Sequence, residues 1–331
     1  MRTGYEYPLP LKIAGLGSYL PKRVVPSSEI EEKCSLESGW CKRKQGISER
    51  RWIVDETVSF MCGRAAEEAI KDAGMAARDI DLILNTSNSF DCVVPDQSIQ
   101  VMNELKIHNS NVTCMSINCG CLSCLAALDI GASLLAAGRY RNILVLSCLV
   151  SSPGINYNDP VSCSMLGDAA VAMVLTRSPD TEKSCLHAAR METYSQATGV
   201  KGFTGKNGKK NLFSKDILFD DLSFEFDSQS MQTEGMKYNK NFLSKLLPVK
   251  RNQIKLIIPN QSTRIASDMM KLLFPSNKIM TVIDRFGNIG AAGHPMALYE
   301  AARNGVISRG DLVLLHGMGA GFSIYGILLT Y

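Results

Sequence analysis

The chain has 331 residues, 45% of them hydrophobic, with 36 lysines and arginines against 32 acids, a formal charge of +4. That length buries a large core and suggests two domains or one large double domain, while the charge is too mild to argue for a nucleic-acid partner. It suits an acidic carrier or a phosphate-bearing ligand. The 11 cysteines are odd in number and irregularly spaced, which fits reduced thiols in a cytosol rather than a disulfide scaffold. No apolar run approaches the ~18 residues of a membrane span, and the N-terminus lacks the apolar stretch of a signal peptide. The expectation is a soluble cytoplasmic protein.

In chain order, Leu11 to Leu20 reads as a first strand, and Pro26-Ser27-Ser28-Glu29 as a capped helix start. The stretch GWCKRKQGISERRW carries Trp40, Lys42, Arg43, Lys44, Arg50 and Arg51. It is either a solvated loop or a platform for a planar base with phosphates alongside. Thr57 to Gly74 is an amphipathic helix, Ile80 to Asn85 a strand, and Pro95 to Leu105 a second helix beyond the loop NTSNSFDCVVPDQS. Residues Asn111 to Ile117 alternate in polarity and read as a buried strand. After Gly120 the period becomes helical, with Leu122, Leu125, Ala126, Asp129, Ile130 and Ser133 on recurring spacings, until Gly138.

Cys121 therefore sits at an elbow between strand and helix. Unpaired N–H groups and the helix dipole there favour a thiolate and lower its pKa, making Cys121 a candidate nucleophile. The plain alternative is three small cysteines, Cys119, Cys121 and Cys124, packed under a helix. A zinc site is disfavoured, because no second cysteine pair matches.

Asn142 to Ser147 is the next strand, and SMLGDAAVAMVLTRS a tight turn and another. Strands alternating with helices argue for an α/β sheet covered on both faces. Residues 195 to 240 are polar and weakly periodic and read as a surface insertion. Its basic run of Lys206, Lys209, Lys210 and Lys215 is a solvated face or a greeting for an acidic carrier.

Beyond it the pattern repeats. RDIDLILNTSNS (Arg78 to Ser89) is echoed by RNQIKLIIPNQST (Arg251 to Thr263), and ASLLAAGRYRNILVLS (Ala132 to Ser147) by YEAARNGVISRGDLVLLH (Tyr299 to His316). Leu82 then matches Leu256, and Ile143 matches Leu312. Two similar halves mean a duplicated α/β unit, with a site where equivalent strand ends meet. The second half offers Asn260 and Gln261 after a strand, Asn288 and His294 in RFGNIGAAGHP, and the glycine hinge HGMGAGF.

These residues resemble the thiolase superfamily and, within it, the β-ketoacyl-acyl-carrier-protein synthase III family. IAGLGSYLPKRVV, GWCKRKQGISERRW, INCGCLSCLAALDIG, SMLGDAAVAMVL, LIIPNQST, DRFGNIGAAGHPMAL and LLHGMGAGFSIYGILL carry the likeness nearly end to end. It implies a thiolase-like duplicated αβαβα five-layer fold, with halves at 1–180 and 181–331. It also implies an acyltransferase that loads a cysteine from a coenzyme A thioester and condenses the acyl group with a malonyl group on an acyl carrier protein. No permanently bound cofactor or metal is implied, and the usual assembly is a homodimer.

Position by position, Cys121 falls on the family's nucleophile, its N–H and that of Ala320 on the oxyanion hole, and Asn288 on the catalytic asparagine. Trp40 falls where the adenine of coenzyme A stacks, with Lys44 in place of an arginine; Thr263 and Met318 also fall in the substrate-binding region. Val94 lies in the loop that crosses the dimer interface to line the partner's acyl pocket. The departure is Asn260, which stands where the family has a catalytic histidine. An amide donates a hydrogen bond but takes no proton at neutral pH, which bears on decarboxylation rather than on acyl loading. A non-catalytic partner subunit of a heterodimer and a thioester hydrolase are the alternatives. His294, His316, Asp91 and Asp96 are the groups that would have to substitute for the histidine.

Overall fold

The sequence repeat becomes two sheets of matching connectivity. A computed structural model describes residues 8–107, 111–195, 228–319 and 321–331. The first sheet runs β1 (Lys12–Tyr19), β7 (Ala169–Thr176), β6 (Asn142–Leu149), β4 (Leu82–Asn85) and β5 (Thr113–Ser116). The second runs β8 (Cys185–Thr193), β11 (Ser323–Thr330), β10 (Leu312–Gly319) and β9 (Leu256–Pro259). A separate two-stranded antiparallel sheet pairs β2 (Arg23–Pro26) with β3 (Glu49–Trp52). In both sheets the first two pairings are antiparallel and the third is parallel. Leu82 lies opposite Ile143 as Leu256 lies opposite Val313. The counterpart of Ile143 is therefore Val313, one residue past the expected Leu312.

Helices fill three layers around these sheets. Helices α3 (Val58–Asp72) and α4 (Gln97–Glu104) cover the outer face of the first sheet, and α7 (Ser228–Leu246) and α8 (Arg264–Lys271) that of the second. Between the sheets lie α5 (Ser123–Ala136) and α10 (Gly293–Arg303), touching strands of both. The result is the five-layer αβαβα arrangement, with the largest apolar cluster in the middle layer.

Several expectations change here. The Asn111 to Ile117 strand is not buried: among the described residues β5 pairs only with β4, and Met115 and Ser116 are exposed at the sheet edge. The central helix begins at Ser123, two residues after Cys121, and buries nearly its whole circumference. A helix between two sheets needs apolar residues nearly all round; of the residues on the recurring spacing, Ile130 and Ser133 are exposed. Ser27 does not cap helix α1 (Ser27–Lys33); its hydroxyl donates to the Ile47 carbonyl. Residues 228–240, read as part of an insertion, belong to α7, which buries Phe242, Leu243 and Leu246 on the second sheet. The basic run from Lys206 to Lys215 lies outside the described residues.

The join between β1 and α3 shows how closely the layers approach. A Cβ at Gly15 would lie 2.1 Å from the Ala69 carbonyl oxygen, and one at Gly17 2.2 Å from that of Ala65. The outward N–H groups of this edge strand then reach α3: Leu16 donates to Asp72 (3.0 Å) and Ser18 to Glu68 (2.8 Å). Overpacking a backbone contact of this kind costs about 1–3 kcal/mol or more. Gly17→Val is accordingly expected to lower the urea midpoint by at least that equivalent; an unchanged midpoint would contradict this packing.

Candidate active site

The elbow is built by its own short-range bonds. Gly120 takes φ 58°, a conformation glycine adopts without strain. The Ser123 hydroxyl accepts from the Cys119 N–H (2.8 Å) and donates to the Gly120 carbonyl (2.7 Å), stapling the turn on which Cys121 rides. Leu122, next to Cys121, is fully buried against the glycine strand of the second half. A Cβ at Gly317 would lie 2.7 Å from its Cδ2, and one at Gly319 3.0 Å from its Cδ1. The hinge of one half thus holds the elbow of the other.

Asn260, at the end of β9, donates through Nδ2 to the Met318 carbonyl on β10 (2.9 Å). Gln261 beside it is an anchor: its amide donates to Pro259 and Met280 carbonyls and accepts from the Val282 N–H. Asn288 is seated from both sides. Its N–H donates to Met165 (2.7 Å), its carbonyl accepts from Gly167 (3.1 Å), and its Oδ1 accepts from Gly290 (3.0 Å). Its Nδ2 has no partner among the described residues. The turn that follows, residues 290–292, packs on α5 and β6, which brings the Asn288 loop to the elbow's helix. Ala320 lies outside the described residues.

Of the groups expected to bind a nucleotide, Trp40 and Lys44 share one helix. Trp40 opens helix α2 (Trp40–Gln45), whose N-terminus is held by the buried Glu31 carboxylate accepting from Gly39 (2.8 Å) and Cys41 (2.9 Å). Lys44 is exposed on the same helix, which packs against α8. Thr263 is the buried residue that precedes α8. Met318 is buried beneath α7, where a Cβ at Gly235 would come within 2.9 Å of its sulfur. Val94 lies apart, 84% exposed in a surface loop.

The ionisation expected at Cys121 is reversed. Cys121 keeps partial access to solvent but is densely surrounded, and desolvation pushes its thiol above the ordinary value, against the pull of its own N–H. Both remaining candidate histidines are packed in the core. His294 stands at the start of α10, not farther along it, and its Nε2 donates to the His316 carbonyl (3.1 Å). Burial pushes His294 down to about 4 and His316, which lies against it, down to about 3, so both are neutral. Asp91 and Asp96 are structural: Asp91 accepts from Val58 and Ser59 at the start of α3, and Asp96 caps α4. Among the described residues there is no cluster of three or more metal-ligating side chains, and no helix long and apolar enough to cross a membrane.

Sequence reasoning missed Asp168. This buried carboxylate accepts from Ile53, Ser151 and Ser152, fixing the segment that carries Met165 and Gly167 beneath Asn288. The available signal was an acid directly before a continuous apolar strand.

Fold and elbow together define a thiolase-type enzyme of the acyltransferase kind. Family profiles for 3-oxoacyl-[acyl-carrier-protein] synthase III match residues 115–195 and, for its C-terminal part, 247–331. A β-ketoacyl-[acyl-carrier-protein] synthase III from Aquifex aeolicus is 32% identical over 323 residues, 97% of this chain and 99% of the relative. The chain belongs to the β-ketoacyl-acyl-carrier-protein synthase III family. The crystal structure of 3-oxoacyl-[acyl-carrier-protein] synthase III from Aquifex aeolicus superposes with a TM-score of 0.85 at 29% identity, covering 97% of this chain and 100% of the other. A variant of OleA from Xanthomonas campestris shares the fold at 21% identity, TM-score 0.85, covering 98% and 100%.

Because the thiolate is the nucleophile and burial disfavours it, alkylation of Cys121 by iodoacetamide is expected to accelerate steadily from pH 7 to 9. Peptide mapping of the alkylated site measures this. A rate already at its plateau at pH 7 would show a lowered thiol pKa and contradict the reading.

Proposed function

We propose that the protein takes an acyl group from an acyl-coenzyme A, or from an acyl carrier protein, onto Cys121 as a thioester and passes it to an acceptor. The observation that carries this reading is the elbow, with Cys121 beside a leucine locked into the glycine strand of the other half. The Cys121 sulfur attacks the thioester carbonyl as thiolate, the tetrahedral oxyanion is met by backbone N–H groups of Cys121 and Ala320, and the coenzyme A thiolate departs. Trp40 and Lys44 on α2, with Thr263 and Met318, supply the surface for the coenzyme's base and pantetheine arm.

The second half-reaction is a Claisen condensation with a malonyl thioester, and there Asn260 matters. A histidine stands at this position in the family; here the amide donates to a backbone carbonyl. Asn288, with an unpartnered Nδ2, is left to hold the thioester oxygen while carbon dioxide leaves. This arrangement supports efficient loading and slow decarboxylation.

The working unit is a homodimer. Phe90, Val93 and Val94 in the loop, Ile99 on α4 and Met115 on the edge strand β5 are exposed apolar side chains. An unpaired edge strand flanked by apolar side chains is a natural pairing surface. A second copy there places Val94 at the partner's acyl pocket.

Intact-mass spectrometry after incubation with a panel of acyl-coenzyme A thioesters tests the reading. An adduct equal to the acyl group is expected on the native chain and not on Cys121→Ala. An unmodified native chain across the panel and with acyl carrier protein would overturn acyl loading and favour a non-catalytic partner subunit.

A further inference from the structure

A second cysteine site lies beneath α2, away from the elbow. Cys34, at the end of α1, is partly exposed, and its sulfur is 2.9 Å from that of Cys163. Cys163 is fully buried on helix α6 (Pro160–Met165). The two sulfurs need to close by only about 0.9 Å to reach the ~2.05 Å of a disulfide bond.

The neighbour of this pair is unusual. Arg50 on β3 is fully buried, yet its guanidinium meets no carboxylate; one nitrogen donates to the Ser164 carbonyl (2.7 Å) and the Ser27 hydroxyl (3.3 Å). Among the described residues its Nε and Nη1 have no hydrogen-bond partner within ordinary geometry. Burial pulls its pKa down, and the titratable groups beside it are the Cys41 and Cys163 thiols and the Glu31 carboxylate. Glu31 itself is spent on the N–H groups of Gly39 and Cys41. A buried cation without an anion, set among thiols, is placed to stabilise a thiolate that forms during exchange. Burial first, and the Cys34 sulfur next, push the Cys163 thiol up. When Cys34 is capped in a mixed disulfide, that second influence disappears.

We propose that Cys34 and Cys163 form a redox-active pair that closes to an intramolecular disulfide when the protein meets a low-molecular-weight disulfide. The Cys34 sulfur, the accessible one, attacks the small disulfide as thiolate, forming a mixed disulfide and releasing one small thiol. The Cys163 sulfur then gives up its proton and attacks Sγ of Cys34, releasing the second small thiol. The protein loses two electrons and two protons, and the small disulfide is reduced to two thiols. Cys163 lies two residues before Met165, whose carbonyl seats Asn288. The cross-link therefore ties α1 to the segment beneath the candidate active site.

The test treats the reduced full-length chain with oxidised glutathione, quenches in acid, alkylates under denaturing conditions and maps the peptides. The expected product is a Cys34–Cys163 cross-linked peptide, two hydrogens lighter than the reduced pair. It should be lost on dithiothreitol treatment and absent from Cys34→Ser, a change at a partly exposed position. The same cross-link is expected in Cys121→Ala, so the result stands apart from acyl loading. Glutathione left on Cys34 with Cys163 alkylated, or both cysteines alkylated while others carry glutathione, would overturn the proposal.

Discussion

The contact on which the site depends is that of Leu122 with the bare backbone of Gly317 and Gly319. A methyl group at either glycine would meet the leucine at 3.0 Å or less, and at Gly317 also His294 at 2.8 Å. Glycine there lets Leu122, the residue after Cys121, pack directly on the backbone of β10. Without that approach the nucleophile and the groups of the second half belong to separate modules. The duplication matters for this reason: one repeat supplies the elbow and the other supplies the flat strand that receives it.

Around that contact the loops are held by buried polar groups, each satisfied by backbone. Asp168 gathers the N–H groups of three residues, Gln261 bridges β9 to the segment before Asn288, and Glu31 seats α2. These side chains touch no acyl group in the proposed reaction. They set where Asn288, Asn260 and Trp40 stand, and an active site assembled from loops needs such anchors to keep its geometry.

The architecture was legible because periodicity and the repeat both report burial, and burial follows the layers. Reading failed where a local pattern had to stand for a three-dimensional environment. The alternation over Asn111 to Ile117 looks the same in a central strand and at an edge, and only pairing separates them. The helical spacing after Gly120 marks α5 as a helix but does not show the second sheet that buries its other side. At Cys121 the helix dipole was visible and the dense surroundings were not, so the direction of the pKa shift came out reversed. Arg50 looked like one cation in a basic stretch; its burial among thiols depends on α6, more than 100 residues away.

The account turns on Asn260. If acyl loading belongs to Cys121 and decarboxylation to the pair at positions 260 and 288, the two half-reactions separate in this chain. Single-turnover decay of preloaded acyl-enzyme with malonyl-acyl carrier protein, compared between the native chain and Asn260→His, measures this most directly. The account predicts slow decay in the native protein and decay at least tenfold faster in the variant, with a β-ketoacyl product; tenfold corresponds to about 1.4 kcal/mol of transition-state stabilisation. Equal decay in both, or faster decay in the native chain, would show that position 260 does not limit condensation and would contradict it.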